Sequence, residues 1–397
     1  MTHSSKTTHI SVVTETFAPE VNGVANTLGI LCQGLIERGH RVDLVRPRRA
    51  GEPRYRTAQQ TPEHQVTPGL PLPGYPELRF GLPCARRLEK HWRRHRPAAI
   101  YVATQGPLGW SALSAARRLG IPVTTGFHTN FHQYCQFYNA GFLERLVRGY
   151  LRVFHNRSGR TLVPTRKVQQ ELGQWGIHNA RLWSRGVDCT HFSPSKRSME
   201  LRSQWGLEPS DLAVLYVGRL APEKNLDMVV AAFERLKAIH PSARLVLVGD
   251  GPMRAHLERR HPDYLFCGVQ KGEALAQHYA SADVFLFPSR SDTFGNVVTE
   301  AMASGLGVVA FDDAAAGEHM ESGHNGLKVP LHDDAGFIRA TMRLADQPTL
   351  LHRIRCEARL KALSLDWQAL IDAFVRELAI TQKEDERHAP EQSIPII

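Results

Sequence analysis

Two carboxylates, Asp292 and Glu300, stand with seven residues between them in the run Ser289–Ser304, S-R-S-D-T-F-G-N-V-V-T-E-A-M-A-S. The run follows the apolar stretch Ala282–Phe287 and Pro288, and its second half has helical character up to Gly305. Thr293–Asn296 therefore falls where backbone N–H groups open a helix, which suits an anion. Asp292, at the mouth, can hold sugar hydroxyls. Glu300, about two turns along, can accept two hydroxyl hydrogen bonds, as from a ribose. The plainer alternative is an N-cap Asp and a surface Glu.

A second segment, Gly218–Asn225 (G-R-L-A-P-E-K-N), sits between an apolar strand and a helical pattern. Arg219 and Lys224 place a guanidinium fork and an ammonium at a strand's carboxyl end, where a diphosphate would be met. An ion pair with Glu223 is the competing account. After the first strand comes Thr14–Thr27, T-E-T-F-A-P-E-V-N-G-V-A-N-T, whose Asn22-Gly23 lets backbone turn close to a ligand or simply turn. Gly126–Tyr134, G-F-H-T-N-F-H-Q-Y, puts His128 at another strand's carboxyl end. His128 and His132 are spaced as in a zinc helix, but Thr129 stands where H-E-x-x-H needs Glu. Gly305–Ala310 matches G-x-G-x-x-A only as text, because it precedes a strand. Val248–Pro252, V-G-D-G-P, lacks the third small residue and aims Asp250 at any phosphate. A nicotinamide enzyme is disfavoured, and no Walker A or Asp-x-Asp pair occurs.

These loops need strands and helices to hold them. Strands are expected at Ile10–Thr14, Val42–Val45, Ala99–Ala103, Pro122–Thr125 and Thr161–Val163, then at Ala213–Val217, Leu245–Val248, Leu265–Cys267, Val284–Phe287 and Val308–Phe311. Strand, loop, helix and strand recur about 200 residues apart, so the fold class is α/β with two parallel-sheet domains. Residues 50–83 read as a long excursion, and Ser193-Pro194-Ser195 as a break between domains.

A chain of 397 residues, 42% hydrophobic and 22% charged, can bury a sizeable core, which excludes disordered, collagenous and disulfide-stapled classes. No apolar run approaches the roughly 18–20 residues of a spanning helix. The polar Met1–His9 is not expected to be a secretory signal, and six scattered cysteines read as reduced thiols. Residues 1–190 carry 26 Lys and Arg against 11 Asp and Glu, while residues 191–397 carry 23 against 28. So uneven a split suggests that the first half meets an anionic surface.

The acid-x7-acid run, G-R-L-A-P-E-K-N, the Gly126 segment, R-G-V-D at Arg185–Asp188 and the T-F-x-P-x-V-N-G-V opening together resemble family 4 retaining glycosyltransferases. The opening is also similar to that of their GDP-mannose-dependent α-mannosyltransferases and glycolipid-forming relatives, and the match covers about Ile10 to Leu378. The resemblance implies a GT-B fold, two Rossmann-like domains with parallel sheets facing across a cleft. Residues 1–190 would form the acceptor side, with a C-terminal helix 367–380 packing back on it. Residues 191–366 would bind the nucleotide sugar, and 383–397 would be a disordered tail. His128, Arg219, Lys224 and Asp292 are the implied catalytic set. Donor-binding residues would be Gly23, in a loop closing over the donor, Arg219 and Lys224 on the diphosphate, Val269, Asp292, Phe294, Gly295, Asn296 and Val297, with Glu300 on the ribose. Asp292 replaces the more usual Glu, and Gly307 stands where Pro is frequent.

The expected reaction is metal-independent transfer of a hexose, with retention, from a nucleotide-diphosphate sugar and without a cofactor. GDP-mannose is the favoured donor and a lipid or lipid-linked glycan the favoured acceptor. A UDP-sugar donor, an epimerase or hydrolase on the same fold, and a non-catalytic binder of anionic polymers are the alternatives. Phe142–Arg160 mixes Leu, Val, Phe and Tyr with five Arg, which suits either an anionic bilayer surface or a core helix. A cytoplasmic enzyme, peripheral on the inner membrane face and without a nucleic-acid partner, is the resulting expectation.

Overall fold

The computed structural model describes residues 7–20, 22–49, 52, 62–72, 75–128, 141–290 and 292–387. The chain divides into two compact units, Met1–Ser184 with Gln368–Ile397, and Arg185–Trp367. The division falls a few residues before the break expected after residue 190.

In the first unit, strands β1 (His9–Val13), β2 (Arg41–Pro47), β3 (Glu63–Thr67), β6 (Ala99–Val102), β7 (Val123–Gly126), β8 (Arg160–Val163) and β9 (Ala180–Leu182) form one parallel sheet, ordered β3-β2-β1-β6-β7-β8-β9. Between β3 and β6 lie the antiparallel strands β4 (Gly69–Leu72) and β5 (Tyr75–Gly81). The 50–83 excursion is thus corrected: its second half is sheet. β3, Glu-His-Gln-Val-Thr, is an edge strand with only one residue fully buried, so no apolar run announces it. Helices α1 (Gly23–Glu37), α2 (Ala85–Arg94), α3 (Pro107–Leu119), α4 (Gly141–His155) and α5 (Arg166–Gln174) supply the crossovers. Their ends carry local signals. Asn22 Oδ1 accepts from the Ala25 N–H to cap α1, and α3 runs from Pro107 to a left-handed Gly120.

The second unit repeats the plan. Strands β10 (Ala213–Val217), β11 (Arg244–Val248), β12 (Leu265–Gly268), β13 (Val284–Phe287), β14 (Gly307–Phe311) and β15 (Leu327–Val329) are all parallel, ordered β12-β11-β10-β13-β14-β15. Its helices are α6 (Met199–Gln204), α7 (Leu226–Lys237), α8 (Arg254–Arg260), α9 (Gly272–Ser281), α10 (Asn296–Ala303), α11 (Ala314–His319), α12 (Asp334–Asp346) and α13 (Pro348–Leu363). Along β10, Val214 and Tyr216 join one apolar layer and Leu215 and Val217 the other. Burial on both faces explains why this strand reads as a continuous apolar run.

The last helix, α14 (Trp367–Arg387), belongs to the first unit. It continues past 383, where a tail was expected; 388–397 lie outside the described residues. Phe374 is fully buried, edge-on to Tyr101 with ring centroids 4.9 Å apart, and 5.3 Å from Trp183. The Arg160 guanidinium reaches Glu377 at 3.0 Å and Arg38 reaches Asp372 at 2.6 Å. Burial of the Phe374 ring anchors the helix, and of the two ion pairs the half-exposed Arg38–Asp372 contributes little. Phe374→Ala should cost about 3–5 kcal/mol of stability. Urea unfolding of the two proteins measures it, and an unchanged midpoint would show that α14 is dispensable to the first unit.

Candidate active site

In an open parallel sheet, ligands bind at the carboxyl edge where the strand order reverses, because the loops there diverge and leave a crevice. In the second unit that reversal lies between β10 and β13, which are neighbours while β11 and β12 extend the other way. The loop leaving β10 carries Lys224 and the loop leaving β13 carries Asp292. The two meet there: Lys224 Nζ donates to Asp292 Oδ1 at 2.8 Å and Oδ2 at 2.9 Å, both side chains mostly shielded. Asn225 braces the same junction, its Nδ2 donating to the Pro288 carbonyl at 3.3 Å. Arg219 does not join this contact. Half exposed, it lies 3.7 Å from Glu223 in the ion pair that competed with its diphosphate reading.

The V-G-D-G-P run, set aside as a phosphate motif, has a different task. Gly218 N–H donates to Val248 O at 3.0 Å, Leu220 N–H to Asp250 O at 2.9 Å, and Met253 N–H to Leu220 O at 2.9 Å. A Cβ on Gly249 would lie 1.9 Å from the Gly218 carbonyl oxygen, and one on Gly251 would lie 2.4 Å from that of Leu220. Backbone is clamped on backbone, and this fixes the loop bearing Arg219 and Lys224. Periodicity could not reveal it, since the glycines matter for what approaches them. Val269, just after β12, is exposed on the same carboxyl edge.

α10 starts at Asn296 after Gly295, which is left-handed with φ 78° and sets the entry angle. Phe294 is buried, and its carbonyl accepts from the Ala315 N–H at 2.6 Å. Arg185, buried and given no role by the sequence reading, lies over the Phe294 ring at 5.3 Å. Its Nη1 donates to Asn296 Oδ1 at 3.3 Å. A cation thus stands beside the helix start, reinforcing its preference for an anion. Val297 is partly buried against the core behind it. Glu300 is largely enclosed and accepts from the Tyr279 hydroxyl at 2.9 Å. Desolvation pushes its pKa up to about 7, and the Tyr279 hydrogen bond opposes that rise.

The first unit carries the remaining candidates. His128 is buried just beyond β7, its Nε2 hydrogen-bonded to the Tyr101 hydroxyl at 2.7 Å. Thr129–Ala140, including His132, lie outside the described residues. Gly23 is the first residue of α1, directly behind the Asn22 cap, so the turn expected at Asn22-Gly23 is a helix start. Among the described residues, no group of three or more His, Cys, Asp or Glu side chains gathers as a metal site.

Residues 21–191 match the model of "Glycosyltransferase Family 4", and residues 211–347 that of "Glycosyl transferases group 1". The chain is 33% identical over 371 residues to the GDP-mannose-dependent alpha-mannosyltransferase of Mycobacterium tuberculosis, covering 92% of this chain and 95% of the relative. It is 27% identical to the alpha-monoglucosyldiacylglycerol synthase of Streptococcus pneumoniae, over 76% of this chain and 70% of that one. The solved sucrose-phosphate synthase of Thermosynechococcus elongatus superposes with a TM-score of 0.78 at 19% identity, covering 95% of this chain and all of that one. This last likeness shows the fold, GT-B.

The raised pKa of Glu300 has a stability consequence. Its neutral form is the one the enclosed position favours, so its contribution is complete below the ordinary value of 4.5 and is lost as pH rises through about 7. The full loss is on the order of 3 kcal/mol. Wild type should therefore lose stability relative to Glu300→Gln between pH 5 and pH 8. Parallel urea-unfolding curves across that range would overturn this account.

Proposed function

The chain belongs to glycosyltransferase family 4, and on that premise we propose that it moves mannose from GDP-mannose to a lipid or lipid-linked glycan, with retention and without a metal ion. The observation that carries the reading is the meeting of Lys224 and Asp292 at the switch point, beside a helix start flanked by Arg185. The loop after β10, the loop after β13 and the start of α10 meet there. Arg219, Lys224 and the N–H groups at Gly295–Val297 face the diphosphate, whose charge grows as the glycosidic bond breaks. Lys224 is already aligned by Asp292, so little reorganisation is needed. Glu300 takes two ribose hydroxyls. The leaving phosphate oxygen accepts the acceptor's proton on the same face of the sugar. The Asp292 carboxylate lies near the transferred hexose, and Val269 near the base. The GDP-mannose preference draws on the 33% identity with a named mannosyltransferase, and the lipid acceptor on the glycolipid synthase.

The test is incubation with GDP-mannose or UDP-glucose, with dioleoylglycerol vesicles as acceptor, with and without EDTA. Mannosyl transfer with retained anomeric configuration and unchanged rate in EDTA is expected. A requirement for Mg²⁺ or Mn²⁺ would remove the metal-free mechanism. A new sugar nucleotide formed without acceptor would favour an epimerase.

Docking on an anionic membrane is the other part of the proposal. On α4, Leu151 and Phe154 are buried, whereas Leu146 is 66%, Tyr150 42% and Val153 45% exposed. The helix thus has a core face and, beside it, an outward set of apolar residues among Arg145, Arg148 and Arg152. α2 exposes Arg86, Arg87, Lys90, Arg93 and Arg94 as well. No helix among the described residues is long and apolar enough to cross a membrane. Each cation near an anionic surface contributes on the order of 1 kcal/mol. Wild type should co-sediment with phosphatidylglycerol vesicles at low salt and detach as the screening length falls towards about 3 Å at 1 M. An Arg145/Arg148/Arg152→Glu variant that melts like wild type but binds as well would remove α4 from the contact.

A further inference from the structure

The first unit has a reversal of its own. In the order β3-β2-β1-β6-β7-β8-β9, the neighbours of β1 are β2 on one side and β6 on the other. The loops leaving β1 and β6 therefore frame the crevice where this sheet would admit a ligand. Glu15 stands in the first of these loops. Its backbone N–H donates to Thr104 Oγ1, in the loop after β6, at 3.0 Å. Its carboxylate is anchored by one oxygen alone: Oε1 accepts from the Leu108 N–H at 3.2 Å, in the first turn of α3, and from the Gly81 N–H at 3.3 Å. Oε2 accepts no hydrogen bond from any described residue, and Glu15 keeps part of its surface accessible. A Cβ on Gly106 would lie 2.0 Å from Oε2, so a glycine leaves the room that this oxygen occupies.

Anchoring needs only Oε1. The second oxygen is held at the switch point without a donor from any described residue and on a side chain that keeps some exposure, so a ligand can reach it. The group that answers it is an O–H or N–H. A phosphate there would meet like charge at short range. The rim continues sideways: Gln105 Nε2 donates to the Gly126 carbonyl at 3.1 Å, at the end of β7, and His128 follows. Two strand spacings separate the ends of β1 and β7, roughly 10 Å, which is the scale of a sugar or glycerol head group.

We infer that Glu15 Oε2 receives a hydroxyl of the acceptor, so that the acceptor presents an alcohol-bearing part of its head group, not a phosphate, to this point of the first unit. This inference rests on the proposed glycosyl transfer. Burial raises the Glu15 pKa while the Leu108 and Gly81 N–H groups lower it, and hydroxyl donation would favour the ionised form further.

The experiment uses the full chain, GDP-mannose, and dioleoylglycerol or glucosyl-dioleoylglycerol in vesicles. Glu15→Gln keeps an oxygen for the Leu108 and Gly81 N–H groups but loses the charged acceptor. It should lower kcat/KM for the alcohol acceptor roughly 10- to 100-fold. Melting temperature and calorimetric affinity for the nucleotide sugar should be unchanged. Glu15→Asp, which keeps the charge, should recover part of the loss. Transfer by Glu15→Gln at the wild-type rate overturns the inference, as does a loss that falls equally on melting temperature and nucleotide affinity, which marks a structural pin. If wild type itself transfers to neither alcohol, the proposed function fails, and this assignment falls with it.

Discussion

A parallel strand pair cannot be closed by a hairpin, so each connection must cross a face of the sheet and return to the same edge. Everything functional in this chain follows from that constraint. Every loop after a strand opens on one rim, and the rim splits only where the order of strands reverses. In the second unit the split lies between β10 and β13 and is bridged by Lys224 and Asp292. In the first it lies at β1, where Glu15 meets Thr104. The same backbone rule supplies both places, and side chains decide what each can do.

The charges at these places are compensated within the protein. Asp292 holds the Lys224 ammonium through both oxygens, and Glu223 lies beside Arg219. Arg185 is enclosed over the Phe294 ring and bonded to Asn296. Such pairing keeps cations oriented without binding energy from a ligand. An anion arriving there has to share the lysine with a carboxylate and does not meet it bare. That arrangement suits a ligand that must also leave.

Much of this was legible in the residues, and the reasons are physical. Val284–Phe287 is apolar at every position because both faces of a central parallel strand are covered, and such a run can be read without a partner. The helix start at Asn296 was readable from a strand, a proline and a glycine in order. β3 was not, because an edge strand such as Glu63–Thr67 needs few apolar residues. Arg185 was quoted only as part of a motif, since its burial depends on Asn296, 111 residues away. Glu15 passed unnoticed for a similar reason. A glutamate in a loop is ordinary until Leu108, Gly81 and Gly106 close around it. Asn22-Gly23 was ambiguous because Asn-Gly signals a turn as readily as a helix start, and the Asn22 side chain made it a cap.

The return of α14 to the first unit has a consequence for synthesis. Residues 185–367 are continuous and form a complete unit once they have emerged. The first unit begins earlier but lacks the ring of Phe374, which covers Tyr101 and Trp183. At 5–20 residues per second, that surface waits roughly 10–40 s for its cover. The later unit is therefore free to finish folding first, while the earlier one keeps an aromatic patch open.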